Sequence, residues 1–352
     1  MADLNGRIHG ALRSLSPGYF AMVMTTGVVS VGLRTEGYDT LSDILLGLAV
    51  AGFAVLVVLN GWRFVSHRHE LAWDFTHPLR GFGFYTFVAA GNVLADRLAQ
   101  SHTGVALTLL AVTTICWITR GYALPWTTRL GAGEHPIVAA ANGTWFMWAV
   151  GAQSIAVAAA SLERVRPNLP LTQLALMAWT IGLFLYVLDG VFVAMRLLAY
   201  DFSAADLTPP YWISMGAAAI TALAGTAIAH LPPDPYVDSA RELVRGGALL
   251  AWTVASWLVP ALVAMGWWRH VTRGVPFRYS AELWSITFPI GMYAVATQTI
   301  ARDDRLPGLD DLGSVAQWVA FAVWLIVSAM AVEHVVRDVL LDRPVRLSRA
   351  GS

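Results

Sequence analysis

An all-helical integral membrane protein is the fold class this sequence predicts, and three observations predict it. Of 352 residues, 57% are hydrophobic and only 13% charged, against about a quarter charged in soluble domains. Between residues 17 and 336 the chain divides into ten apolar runs, each close to the roughly 20 residues that cross about 30 Å of hydrocarbon. No connection between runs is long enough for a soluble domain. The expected organisation is a short cytoplasmic segment, 1–16, one ten-helix membrane domain, 17–336, and a short cytoplasmic tail, 337–352.

In order, the runs are 17–34, 42–62, 79–95, 104–119, 137–160, 171–198, 209–229, 243–267, 280–300 and 313–336. An even number places both termini on one side. All 23 basic residues are Arg. Fifteen fall on the side of the termini, among them Arg7, Arg13, Arg63, Arg80, Arg120, Arg129, Arg343, Arg346 and Arg349, and eight, including Arg97, Arg164 and Arg305, fall opposite. By the positive-inside rule the termini are cytoplasmic, in a multi-pass cell-membrane protein. The opposite loops carry the acidic pairs Asp303-Asp304 and Asp310-Asp311. The absence of lysine removes P-loop, pyridoxal and retinal Schiff-base chemistry. The single cysteine, Cys116, forms no intrachain disulfide or multi-cysteine metal site.

Every second run opens on a similar motif: Ser16-Pro17-Gly18-Tyr19-Phe20, His77-Pro78-Leu79-Arg80-Gly81-Phe82, His135-Pro136 with Asn142-Gly143-Thr144-Trp145, Thr208-Pro209-Pro210-Tyr211-Trp212 and Thr287-Phe288-Pro289. Proline suits the first position of a helix, and a preceding Ser, Thr or His can cap or flank that end. Each unit is therefore one helical hairpin, and the chain reads as five. Pro289 and Pro260 differ, standing inside their runs, where each removes a helical hydrogen bond; a kink is expected at Pro289.

The odd-numbered runs also concentrate small and uncharged polar residues: Gly18, Gly27, Thr26, Gly83, Asn92, Asn142, Gly143, Gly216, Thr287 and Gly291 among them. Small residues serve close helix packing or leave space along an axis, so two readings stand. Nine of these, all but Asn92, are the expected lining of a water-accessible path ringed by the odd helices, with even helices outside against lipid. Five helix N-termini of about +0.5 charge each would gather at the cytoplasmic mouth, joined by Arg13, Arg80 and Arg129, and would favour anions.

Asp189 is the one acidic residue well inside a run. It is a candidate for proton coupling, or a structural partner of Arg196, two turns on. His67, His69, His77 and Asp74 share one loop but read as solvated surface, so no metal or other cofactor is expected. The tryptophans near run ends, such as Trp62, Trp126 and Trp267, read as an interfacial belt. No hydrolase or metalloprotease motif appears, and no enzyme activity is expected.

Five stretches in order, Pro17 to Val23, His77 to Phe82, Asn142 to Trp145, Tyr211 to Gly216 and Thr287 to Tyr293, resemble the tellurite-resistance/dicarboxylate transporter family, which includes the plant slow-type guard-cell anion channels. The resemblance implies ten transmembrane helices as five hairpins in a quasi-five-fold arrangement around a central pore formed by the odd-numbered helices, and commonly a homotrimer. It also implies that a phenylalanine of the ninth helix, here Phe288, plugs the pore. The residues themselves point the same way, since a phenyl ring beside a kink can project into a narrow axis, although a packed core aromatic is the other reading. Phe84 is a second gate candidate, with Phe82 and Phe87 as alternatives. The expected function is an anion-selective channel or facilitator for small anions such as chloride or nitrate. The alternative is a transporter of C4-dicarboxylates, sulfite or tellurite-related anions, proton-coupled or not. No Arg stands at mid-depth of an odd run to hold a carboxylate bidentately, which weighs against that alternative. Expected partners are these anions, the lipid bilayer and other copies of the chain, not nucleic acid.

Overall fold

The computed structural model describes residues 9–77, 79–131, 137–303, 306 and 308–340. Arg7, Pro78, His135, Pro136, Asp304, Arg305 and the Arg-bearing tail beyond 340, on which some expectations fall, lie outside the described residues, as does the side chain of Arg129. The described chain is helical, without strands. Ten long helices follow one another: α1 Phe20–Thr35, α2 Asp39–Ser66, α3 Tyr85–Leu98, α4 Thr103–Gly131, α5 Met147–Val165, α6 Leu169–Ala199, α7 Ile213–Ala229, α8 Pro235–Trp267, α9 Trp284–Asp303 and α10 Leu309–His334. A short helix, Arg68–Thr76, connects α2 to α3.

Each odd-numbered helix is preceded by a tight 3-10 turn: Pro17–Tyr19, Arg80–Phe84, Gly143–Phe146, Pro209–Trp212 and Ala281–Leu283. The motifs explain the turns. Prolines pre-set the backbone at Pro17 and Pro209, where no N–H is needed. Ser16 Oγ accepts from the Gly18 amide at 3.2 Å, Asn142 Oδ1 from Thr144 at 2.8 Å, and His77 Nδ1 from Leu79 at 3.2 Å. These bonds satisfy donors that a helix start leaves orphaned. The fifth unit opens at Ala281, so Pro289 stands inside α9, just as Pro260 stands inside α8.

Seven described helical segments are long and apolar enough to cross a membrane, and the protein is an integral membrane protein on that ground. The three that fall short are α1, α3 and α9, which carry the glycines, Asn92, Gln298 and other polar groups. They are walled by other helices, so their polar side chains meet protein rather than lipid. Burial makes the same division. In α5 and α7 with their turns, 83% and 89% of the apolar window is buried, against 11–22% in α2, α4, α6, α8 and α10. Those five present large apolar side chains outward, among them Leu48, Ile115, Phe184, Leu250 and Ile326.

Packing follows a cycle. α1 packs on α3, α3 on α5, α5 on α7, α7 on α9, and α9 returns to α1; their opening turns touch in the same cyclic order, at one end of the bundle. Each inner helix also packs on the helix that follows it. Four tryptophans then tie an outer helix forward to the next inner one. Trp117 of α4 donates to the Trp148 carbonyl of α5 at 3.1 Å and Trp179 of α6 to the Thr221 carbonyl of α7 at 3.0 Å. Trp252 of α8 donates to Thr297 of α9, and Trp324 of α10 to Thr26 of α1, each at 2.9 Å. A buried indole N–H usually finds such a partner. These tryptophans are therefore fold elements, whereas Trp62, Trp126 and Trp267 are exposed, as an interfacial belt requires.

Candidate functional site

The five inner helices share one cavity of about 20 Å³, room for a single water. All five contribute to its wall, for example through Val28, Val93, Val157, Ile220 and Met292, and its polar members are Asn92, Ser154 and Asp96. Asn92 donates to Ser154 Oγ at 3.0 Å and accepts from Thr113 of α4 at 2.7 Å, so one amide joins three helices. Asp96 accepts a hydrogen bond from Ser161 of α5.

Phe288 is fully buried. It precedes Met292 by four residues and Val295 by seven, and both of these line the cavity. Positions i, i+4 and i+7 share one helix face, so Phe288 lies on the cavity-facing stripe of α9, about 6 Å closer to the turn end at 1.5 Å per residue. The other aromatic candidates turn elsewhere. Phe84 packs edge-on to Phe75 of the connecting helix at 5.5 Å, Phe82 stacks on Trp145 at 5.1 Å, and Phe87 stacks on Phe53 of α2 at 5.6 Å.

The nine residues expected to line a path stand outside this cavity's wall, and the contacts say why. A methyl group at Gly143 would come within 1.9 Å of the Pro210 carbonyl oxygen, so the turns before α5 and α7 meet backbone to backbone. At Gly216 it would stand 2.9–3.0 Å from Pro289; a flat α7 surface accommodates the proline ring of α9. Gly83 backs onto Gly18, Gly27 onto Val93, and Gly291 onto Val28. Thr26 faces α10 through Trp324, and Asn142 caps its own turn. Thr287 is buried one position before Phe288, with no partner for its hydroxyl among the described residues. Small residues here let neighbouring inner helices approach closely; the cavity wall is mainly aliphatic.

Asp189 lies buried on α6, outside the ring, and its Oδ2 has no hydrogen-bond partner among the described residues. The expected pairing with Arg196 is not formed. Arg196 turns instead to the loop after α6, donating to the Asp201 carbonyl at 2.8 Å and standing 3.9 Å from Asp206. At the turn end, Arg13 pairs with Glu70 at 2.7 Å and Arg80 with Asp74 at 2.5 Å. Glu70 offsets Arg13, whereas Asp74 is shared between Arg80 and Arg63 and leaves one positive charge beside the helix N-termini at that end. Asp74 also holds buried Arg63 at 2.7 Å, which commits the carboxylate that a histidine metal site would have used. No grouping of metal ligands occurs among the described residues. Burial, and then the nearby Arg80 charge, hold the His77 imidazole below its ordinary pKa.

Asp96 is the site residue that sequence reading missed. It follows directly after the run 79–95, where an acidic residue looks like part of a loop. The signal was present in the period: Asp96 follows Asn92 by four residues and Val93 by three.

The family described as voltage-dependent anion channel matches residues 14–332. An uncharacterized membrane protein of Mycobacterium tuberculosis is 44% identical over 152 residues, 43% of this chain and 77% of that protein. Two uncharacterized transporters of Methanocaldococcus jannaschii are 23% and 22% identical over 333 residues, covering 90% of this chain and 92% and 93% of their own lengths.

Proposed function

From the premise that this chain belongs to the voltage-dependent anion channel family, the tellurite-resistance/dicarboxylate transporter family of the sequence motifs, we propose that it is a passive, anion-selective path through the membrane. All ten helices cross the bilayer in this reading, α1, α3, α5, α7 and α9 forming the wall of a central pore and the others facing lipid. The termini are cytoplasmic, and three chains assemble with one path each. The observation that carries the reading is a single cavity walled by all five inner helices, with Phe288 one turn along the cavity-facing stripe of α9.

The parts then divide the work. Five parallel helix N-termini at the turn end attract anions without binding them tightly. The wall is mainly aliphatic and holds no cationic side chain to trap an anion, which favours passage over capture, and the Phe288 ring closes the path by sterics and dewetting. Pro289, seated against Gly216, sets the local bend that aims the ring. A C4-dicarboxylate finds no arginine in the cavity wall to hold a carboxylate, so small inorganic anions are the better substrates.

Flux in proteoliposomes tests this. Under a chloride gradient with a potassium ionophore to clamp the potential, protein-dependent chloride and nitrate efflux is expected, without malate or cation movement. Saturable malate uptake that depends on a proton gradient, with no chloride flux, would overturn the channel reading in favour of a carrier.

A further inference from the structure

Among the residues walling the axial cavity, one is ionisable: Asp96, in the last turn of α3, at the end away from the opening turns. A carboxylate on the wall of an anion path works against the anion whenever it is ionised. Two arginines near enough to act on it electrostatically, Arg97 and Arg164, are both engaged elsewhere. Arg97 reaches Ser30, Ser42 and Asp43 at 3.3, 3.0 and 3.3 Å, in a cluster that also takes Arg34 of α1, 3.5 Å from Asp43 of α2. Arg164 of α5 donates to the Ala227 carbonyl of α7 at 2.9 Å.

Other titratable groups described at this end have partners of their own, Glu36 after α1 accepting from Gln298 and Ser314 at 2.8 Å each. Glu163 of α5 accepts from the Asn168 amide, and His102, between α3 and α4, lies 3.0 Å from Ser101. His230, after α7, faces Asp303 of α9 at 3.8 Å. Asp96 itself has the neutral Ser161 hydroxyl as its hydrogen-bond partner. No described arginine makes a direct ion pair with it, so when ionised its charge acts on the cavity it lines, offset in part by the Arg97 and Arg164 guanidiniums nearby.

We propose that Asp96 is the specificity-determining residue at this end of the path: protonated, it lets small monoanions pass, and ionised, it repels them, so that anion flux follows the proton occupancy of one side chain. This deepens the anion-path reading and rests on it. The substrates it selects are monoanions; a dianion would meet twice the repulsion.

The experiment is chloride and nitrate flux in proteoliposomes at equal pH on both sides, stepped from 8 to 5, for the full chain, Asp96→Asn and Asp96→Ser. Equal pH makes insertion orientation irrelevant. Wild-type flux is expected to rise on acidification by between about fivefold and several hundredfold, the limits set for one unit charge about 4 Å from the path by a bulk-water and a near-surface dielectric. Both variants should be flat and fast across the range, Asp96→Ser guarding against a peculiarity of the amide. The chloride-to-potassium permeability ratio at pH 8, read from reversal potentials, should rise in both. A wild-type profile that is flat, or one that either folded variant retains, overturns the role of Asp96 while leaving the anion path standing. Absence of anion flux at every pH in all three proteins overturns the path and this inference with it.

Discussion

Replacing Phe288 by alanine separates a gate from an ordinary core residue, because the two roles predict different pairs of results. The ring is fully buried, and truncating a buried phenylalanine costs about 3–5 kcal/mol in either case. Of a typical ~4 kcal/mol, roughly 2 is the transfer of the lost apolar surface, and the rest, at about 24 cal/mol per Å³, corresponds to a void of about 80 Å³. That is space for two or three waters at about 30 Å³ each, next to a cavity of about 20 Å³ that holds one. If Phe288 closes the path, the new space joins that cavity toward the turn end, and a water column replaces an apolar plug. Flux should then rise at least about tenfold, a barrier reduction of about 1.4 kcal/mol, with Phe288→Leu in between. Proteoliposome chloride flux and detergent thermal unfolding are to be measured on the same preparations. A folded, inserted Phe288→Ala protein that has lost stability but conducts no faster than wild type would refute the gate and leave Phe288 a packing residue.

Further predictions rest on other contacts. Gly143→Ala drives a methyl group into the Pro210 backbone and should cost about 3 kcal/mol or more, seen as lost monodisperse protein, whereas Gly61→Ala, with open space around it, should gain a few tenths to about 1 kcal/mol. Asp74→Asn leaves Arg63 buried without its counter-charge and should lower stability by about 3–5 kcal/mol; an unchanged melting temperature would show that the pair contributes nothing. His77 binds its proton less readily folded than unfolded, so its contribution to stability is present above the ordinary histidine range near 6.5 and lost as pH falls. The drop in melting temperature between pH 7.5 and 5.5 should shrink in His77→Gln. Asp189→Asn should leave both flux and its pH profile unchanged, since this carboxylate lies outside the ring; loss of either would move the proton-sensitive group to α6.

Much of the architecture was legible because membrane helices announce themselves by length and apolarity. The division into inner and outer helices was legible too, because lipid admits no glycine- and amide-rich face without protein around it. The capping residue Ser16 marked one of the five opening turns outright. What the sequence hid was rotation about each helix axis. Thr26 and Gly27 are neighbours in an inner helix, yet one bonds to Trp324 of α10 and the other meets Val93 of α3. A small or polar residue inside a bundle serves neighbour contact as readily as a path, and composition does not distinguish them. Charge partners were equally hidden. Arg196, two turns along from Asp189, was the natural partner by spacing, but the loop to Asp206 folds back and takes it. Asp96 was lost to a boundary drawn one residue too early.

The forward tie from Trp324 of α10 to Thr26 of α1, together with the packing of α9 on α1, joins the end of the chain to its beginning. During synthesis the earlier hairpins can enter the membrane and dock in sequence. The first helix, however, waits with Thr25 and Thr26 uncovered along one flank until the last hairpin arrives. Thr25 gains its bond to the Trp284 carbonyl only then. Ring closure is thus the final and least local event of assembly, and a ribosome stalled before α9 leaves an open fan whose polar seam faces lipid, a recognisable target for membrane quality control.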